Sequence, residues 1–473
     1  MSITEQAVAS SGRPDEAAQD NLAASLRGVL LRPIDAQYDE ARKIWNGMID
    51  RRPALIVRCA VAADVVEAVR FAREQDLSIS VRGGGHGVGG LAVADDALMI
   101  DLSLMRGVWV DPAERTARAQ GGCLWGDVDS ETQALGLATV GGVVTHTGVA
   151  GLTLGGGIGW LMRKYGLTID NVRSFDLVSA EGERLRASAD ENRDLFWGLR
   201  GGGGNFGIVT SFEYALHPVG PVVLCGAVVY PAERAKEVLT FYRDFIADSP
   251  DELTTIVNLR TAPPAPFLPE AVHGKPVVLI AVCYAGSVED GERVLGPLRN
   301  IGKPLADVVM AKPYLAHQGM FDASVPHGHR YYWKSEYLAP LSDAAIDTLI
   351  GKAWPTPTPQ SYTIMFHMGG AIRQVSGDET SFLGREAEHA VNINGVSIEP
   401  ADDEKITAWG RDFWSALQPY SAGGVYVNFL GDEGAERVRA AYGPEKYDRL
   451  VVLKTKYDPT NVFRLNQNIQ PSA

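Results

Sequence analysis

The sequence predicts a mixed α+β fold in two parts. A helix-period segment lies between two strand-like runs that end on glycines. Glycine-rich loops crowd into Val81–Gly207, and from Pro218 the texture changes to proline-rich loops between apolar strands. The 473 residues, 45% hydrophobic and 22% charged, suffice for two or three domains with buried cores.

In chain order, Leu55–Val57 reads as a strand. Val65, Ala68, Val69 and Ala72 recur at i, i+3, i+4 and i+7, the apolar stripe of an amphipathic helix. Leu77, Ile79 and Val81 alternate with Ser78, Ser80 and Arg82 at strand period, which closes a βαβ unit on the first glycine cluster. Further strands are expected at Leu98–Leu102, Val108–Val110, Phe175–Ser179 and Ile208–Tyr214, with a hairpin turn at Glu181-Gly182 and a helix over Asp194–Leu199. Beyond Pro218, loops at Ala262–Pro269 and Pro355–Pro359 separate strands such as Val277–Val282 from helices such as Ala232–Phe245. A Lys/Arg-rich helix after Ala435 and the ending KYDPTNVFRLNQNIQP predict a tail that returns to the first part. The expected division is a flexible leader over 1–25, a first region over 26–217, a second over 218–430 and the returning segment over 431–473.

The composition excludes several classes. A formal net charge of −14 repels phosphate backbones, and no Lys/Arg run offsets it, so nucleic acid is not the expected partner. The four cysteines, Cys59, Cys123, Cys225 and Cys283, lie far apart with no Cys-x-x-Cys and no Cys/His cluster, which argues against a structural metal and for a reduced, cytoplasmic setting. The start lacks the basic and apolar stretches of a signal peptide, and no apolar run reaches membrane-spanning length. No membrane is expected, and the assembly is expected to be a monomer or small homo-oligomer.

Two segments, Gly85–Gly90 and Gly202–Gly207, match G-x-G-x-x-G. Dinucleotide binding of the Rossmann kind needs a helix directly after those glycines, with its N-terminus facing the pyrophosphate. Strand-like LAVADDALMIDLS and IVTSFEYAL follow instead, and no phosphate-loop pattern ending in Gly-Lys-Ser/Thr occurs. What remains is a set of glycine loops at strand ends, whose bare N–H groups suit a diphosphate.

Four ordered segments, Val81–Gly90 (VRGGGHGVGG), Gly148–Gly159 (GVAGLTLGGGIG), Leu195–Thr210 (LFWGLRGGGGNFGIVT) and Tyr457–Asn468 (YDPTNVFRLNQN), resemble the FAD-linked oxidases of the vanillyl-alcohol oxidase and p-cresol methylhydroxylase type. The berberine-bridge-enzyme-like branch is the most similar, near bacterial 6-hydroxynicotine oxidases, and the resemblance runs from Ala54 to Ile469. It implies a two-part FAD-binding domain of the PCMH type, completed by the tail, and an inserted substrate domain built on an antiparallel sheet flanked by helices. It also implies a flavin bonded covalently to His86, a chemically competent role for a neutral imidazole. The position where some relatives carry a second, cysteinyl link is Val144 here, so one bond is expected.

By the same resemblance, Arg82, Gly83, Gly84, Gly85, Gly87, Val88 and Gly90 form the pyrophosphate loop, and Gly148, Gly151 and Gly155 the adenine-to-diphosphate segment. Gly207 and Ile208 meet the flavin pyrimidine, and Asn466 and Asn468 close the tail over it. Thr147 stands where relatives admit or block oxygen, and leaves both an oxidase and a dehydrogenase with another electron acceptor open.

The implied reaction is oxidation of a C–O or C–N bond of a small or medium organic substrate, with hydride passing to flavin N5 and O2 returning as H2O2. Tyr426, in a Tyr-Val-Asn-Phe segment expected to be a strand, is the implied base, and Asn428 would face the same side. An ordinary phenol is a weak base at neutral pH, so a nearby cation or the flavin would have to favour its phenolate. His367 is a second candidate base, and Asn392, Asn394, Tyr332 and Lys334 are further polar groups on strands of the second region.

Overall fold

The computed structural model describes residues 14–472. The first region holds two main sheets, besides a short pairing of Leu137–Ala138 with His217–Pro218. In one, strands Leu55–Arg58 and Ile79–Arg82 both run parallel to Leu98–Asp101, which lies between them, and Val29–Leu31 pairs antiparallel at the edge. Helix Ala62–Glu74 buries Val65, Ala68, Val69 and Ala72 against this sheet, the stripe that its sequence period sets. The second sheet is antiparallel, in the order Val108–Asp111, Thr116–Gln120, Ile208–Ala215, Val172–Val178, Arg184–Ser188. The turn at Gly182 adopts φ +74°, as the hairpin requires.

The expected leader over 1–25 differs from what is observed. Residues 1–13 lie outside the described residues, but Glu16–Ser25 is a helix, capped by the Asp15 carboxylate accepting from the Ala18 N–H at 2.7 Å. Its Leu22 is buried against the first sheet's core, and that apolar contact is what orders a segment whose polarity suggested fraying.

The second region is an antiparallel sheet of eight strands. Its path runs Ala306–Asp307, Val222–Pro231, Pro276–Tyr284, Leu253–Thr261, Tyr362–His367, His389–Ser397, Arg330–Leu338, with Met310–Pro313 also on Val222–Pro231. Val222–Pro231 and Pro276–Tyr284 read as nearly unbroken apolar runs because both of their faces are covered. On Val222–Pro231, Leu224, Val228 and Tyr230 meet helices such as Ala235–Ala247 and Asp343–Ala353, while Cys225, Ala227 and Val229 face the first region. All four cysteines are buried and free.

After helix Asp403–Leu417 the chain turns back, and Val425, Val427 and Leu430 already pack with the first region's core. The basic tail is two helices, Ala435–Tyr442 and Pro444–Tyr457, divided at Gly443. Lys454, fully buried, donates to Asp458 at 2.6 Å and to the carbonyls of Asn205 and Phe463 at 2.8 and 3.0 Å. This cation thereby fastens the last residues over the loop at Gly203–Asn205. The two regions are joined by a buried bidentate pair, Arg385 to Asp170, at 2.6 and 2.9 Å.

Candidate active site

A large cavity lies between the regions. Its floor is rich in glycine backbone: loops around Gly83–Gly87, Gly148–Gly155 and Gly203–Ile208 line it among aliphatic side chains, and Asn466 and Gln467 of the tail close one end. Gly84 and Gly148 touch, so that a Cβ on either would overlap the other's backbone. At Gly87, Gly151 and Gly204 a Cβ would meet no protein atom within 4 Å. These three line the cavity, so the space before them belongs to it, a cradle that larger residues would fill.

The comparisons with known proteins point one way. Residues 53–188 match the FAD binding domain family, and residues 425–470 the berberine and berberine like family. An FAD-linked oxidoreductase of Dictyostelium discoideum is 36% identical over 454 residues, covering 94% of this chain and 95% of its own. The chain belongs to the berberine-like FAD-linked oxidoreductases. (R)-6-hydroxynicotine oxidase of Paenarthrobacter nicotinovorans is 31% identical over 467 residues, covering 95% of this chain and 98% of its own. Among solved structures, 6-hydroxy-D-nicotine oxidase from Arthrobacter nicotinovorans superposes with a TM-score of 0.86 at 31% identity, over 95% of this chain and 99% of that one. The glucooligosaccharide oxidase of Acremonium strictum, described with 6-S-cysteinyl, 8α-N1-histidyl FAD, shares the fold at a TM-score of 0.85 and 23% identity. The architecture is accordingly the PCMH-type FAD-binding fold with its antiparallel substrate sheet.

The lining of this FAD-linked oxidoreductase fits its cofactor on physical grounds. His86 Nε2, Asn466 Oδ1 and Gln467 Oε1 line the cavity, buried and without a protein partner, as groups awaiting a polar ligand would be. His86 stacks on Trp45 at 4.2 Å between centroids, and burial, with His146 and His327 nearby, pulls its pKa down to about 3. It is therefore a neutral imidazole at physiological pH. Trp45 is fixed in turn by its N–H to the Gly85 carbonyl at 3.0 Å and its indole N–H to the Val325 carbonyl at 2.9 Å.

At the other end Tyr426 is buried, and its hydroxyl oxygen accepts from the Gly157 N–H at 2.9 Å and from Asn428 Nδ2 at 2.8 Å. The expected strand is absent: Val427–Phe429 is a single 3₁₀ turn, closed by the Phe429 N–H to the Tyr426 carbonyl at 2.9 Å. Asn428 meets Tyr426 because the turn folds it back, and its Nδ2 also reaches the Leu152 carbonyl at 2.9 Å. The cation expected beside Tyr426 is not what acts on it. Two N–H donors favour the phenolate, but burial outweighs them and pushes the phenol up to about 12.

Of the residues expected at the cofactor, Gly83, Gly84, Gly85, His86, Gly87, Thr147, Gly148, Gly151, Gly155, Gly207, Ile208 and Asn466 line the cavity. Arg82 turns away: its guanidinium grips Asp101 at 2.6 and 3.0 Å and the carbonyls of Ala41 and Lys43, so it anchors the loop from behind. Gly90 packs on Ile49, Val88 points to a second opening, and Asn468 stands outside the lining, where Gln467 takes its place. His367 also lies outside. Its Nε2 accepts from Arg163 at 3.2 Å, and burial with that cation holds it down to about 2.

The roof is where sequence reading fell short. Trp333, Tyr362 and Phe366 line the cavity beside Asn392 and Asn394, whereas Tyr332 and Lys334 face the second opening with Trp414 and Glu433. Alternation in RYYWKSEY separates Trp333 from its neighbours, but which set faces inward is decided by pairing with His389–Ser397, where Trp333 stands opposite Asn394.

Proposed function

We propose that this chain is an oxidase with FAD bonded covalently through His86 alone, oxidising a C–O or C–N bond of a small or medium organic molecule. The observation that carries the reading is the neutral, buried His86 nitrogen, unpartnered at the edge of a glycine-lined cradle. When bound, the flavin supplies a two-electron acceptor for hydride, reoxidised by O2 to give H2O2.

The chain's own residues supply the rest. The Tyr426 oxygen, as phenolate, takes the proton of the substrate's O–H or N–H. The N–H groups of Gly157 and Asn428 favour that form and burial opposes it, so it becomes commoner as pH rises. Phe429, edge-on to Tyr426 at 4.8 Å, and Phe366 keep water from that oxygen. Thr147 borders the same cavity, a β-branched side chain small enough to let O2 pass.

Acid precipitation tests the bond: the yellow colour is expected to stay with the polypeptide, and a colourless pellet would refute the link to His86. One peroxide per substrate consumed is expected. Full turnover with a dye acceptor and no peroxide would make the enzyme a dehydrogenase of the same fold.

A further inference from the structure

No Asp, Glu, Lys or Arg lines the cavity among the described residues. Its one lining histidine, His86, is neutral. The roof sheet presents two rows. Trp333, Asn394 and Tyr362 stand side by side in register, and next to them Asn392 faces Ile364. Below, Phe429 lies edge-on to Trp333 at 5.7 Å and against Phe366 at 5.8 Å, which extends the ring surface to Tyr426.

In this apolar frame the two amides are committed to each other. Asn392 Nδ2 donates to Asn394 Oδ1 at 3.2 Å, and Asn394 Nδ2 donates to the Asn392 carbonyl at 2.8 Å. Asn392 Oδ1 is left buried with no donor, 2% of the residue being exposed. A buried acceptor of this kind is free to take an O–H or N–H from a ligand.

We propose that the substrate is an uncharged, planar molecule held against this ring surface, with an O–H or N–H group donated to Asn392 Oδ1. An ion held at the roof would give up its hydration and meet no opposite charge, whereas the diphosphate of the cofactor has the N–H groups of the glycine loops. The buried cation Arg260 lies against Tyr362, whose ring is 5.7 Å from the guanidinium, and it is held by the Thr261 carbonyl and the Ser324 hydroxyl. The proposal rests on the reading of the cavity as a joint flavin and substrate site.

The two fail separately. Purified protein without flavin overturns that reading before any probe is added, whereas flavin-loaded protein that prefers an ion overturns only the present proposal. The experiment titrates flavin-loaded enzyme with four probes of one shape, 4-methylphenol, p-xylene, 4-methylbenzoate and 4-methylbenzylamine, reading the visible flavin spectrum and the heat of binding. The phenol is expected to bind at least about 100-fold tighter than either ion. Asn392→Leu should weaken the phenol by about 10–100-fold and leave p-xylene unchanged. Asn392→Asp should move the preference to the amine, and an unaltered flavin spectrum before titration shows that both variants are folded. Binding of an ion as tight as the phenol, no binding by any probe, or an unchanged phenol affinity in Asn392→Leu would each overturn it.

Discussion

The floor and the roof of the cavity are made of different material. The floor offers glycine backbone set among aliphatic side chains such as Val81, Leu152 and Ile158, with Gly84 against Gly148 and open space before Gly87, Gly151 and Gly204. The roof offers side chains from three adjacent strands, chiefly Trp333, Tyr362, Phe366 and the Asn392–Asn394 pair. Backbone N–H groups recognise what members of a family hold in common, whereas side chains can change without altering the fold. On the proposed reading the floor serves the cofactor and the roof the substrate.

The sharpest way to break this division is Gly148→Val. Its side chain would be driven into the Gly84 backbone, parting the two loops, so purified protein is expected to carry no flavin absorbance. Flavin retained at the full ratio would show that the floor yields.

Tyr426→Phe tests the meeting point of floor and roof. It should keep the flavin and lower the rate of substrate oxidation by about 10²–10⁴-fold. Because burial pushes the phenol up to about 12, the proton-accepting form becomes commoner as pH rises. The wild-type rate should climb with pH above neutrality, and the variant should lose that climb in stopped-flow measurements.

Arg385→Ala acts on the joint between the regions. It leaves the Asp170 carboxylate buried without its guanidinium partner, which should cost about 3–5 kcal/mol in urea unfolding.

A separate test concerns acid. Burial holds His317, His367 and His389 down to about 3, 2 and 3 from an ordinary 6.5. Depressed values mean that their contribution is complete above pH 6.5 and is lost as pH falls toward 3. Urea midpoints should decline steadily across that window, and a flat profile would show that these rings are solvated.

The floor was legible in the chain because it is local. Each glycine loop occupies about a dozen consecutive residues, and His86 sits inside its own loop, so the resemblance to the family shows in single short segments. The departures came where distant segments intervene. Arg82 shares the first loop but is drawn away by Asp101, and Asn428 reaches Tyr426 through a turn that alternation does not announce. The leader helix had only Leu22 to mark it, an apolar residue whose partner core is assembled elsewhere.

By itself, the sequence determined the glycine loops and the amphipathic helix Ala62–Glu74, since each depends on residues near in the chain. Tertiary structure decided which face of Arg330–Leu338 looks inward and that Asn392 is left with an unpaired oxygen. It also set His367 against Arg163 rather than the cavity. Strand register and burial are set by contacts between residues far apart in the chain, and no local spacing encodes which of two alternating faces will meet the core.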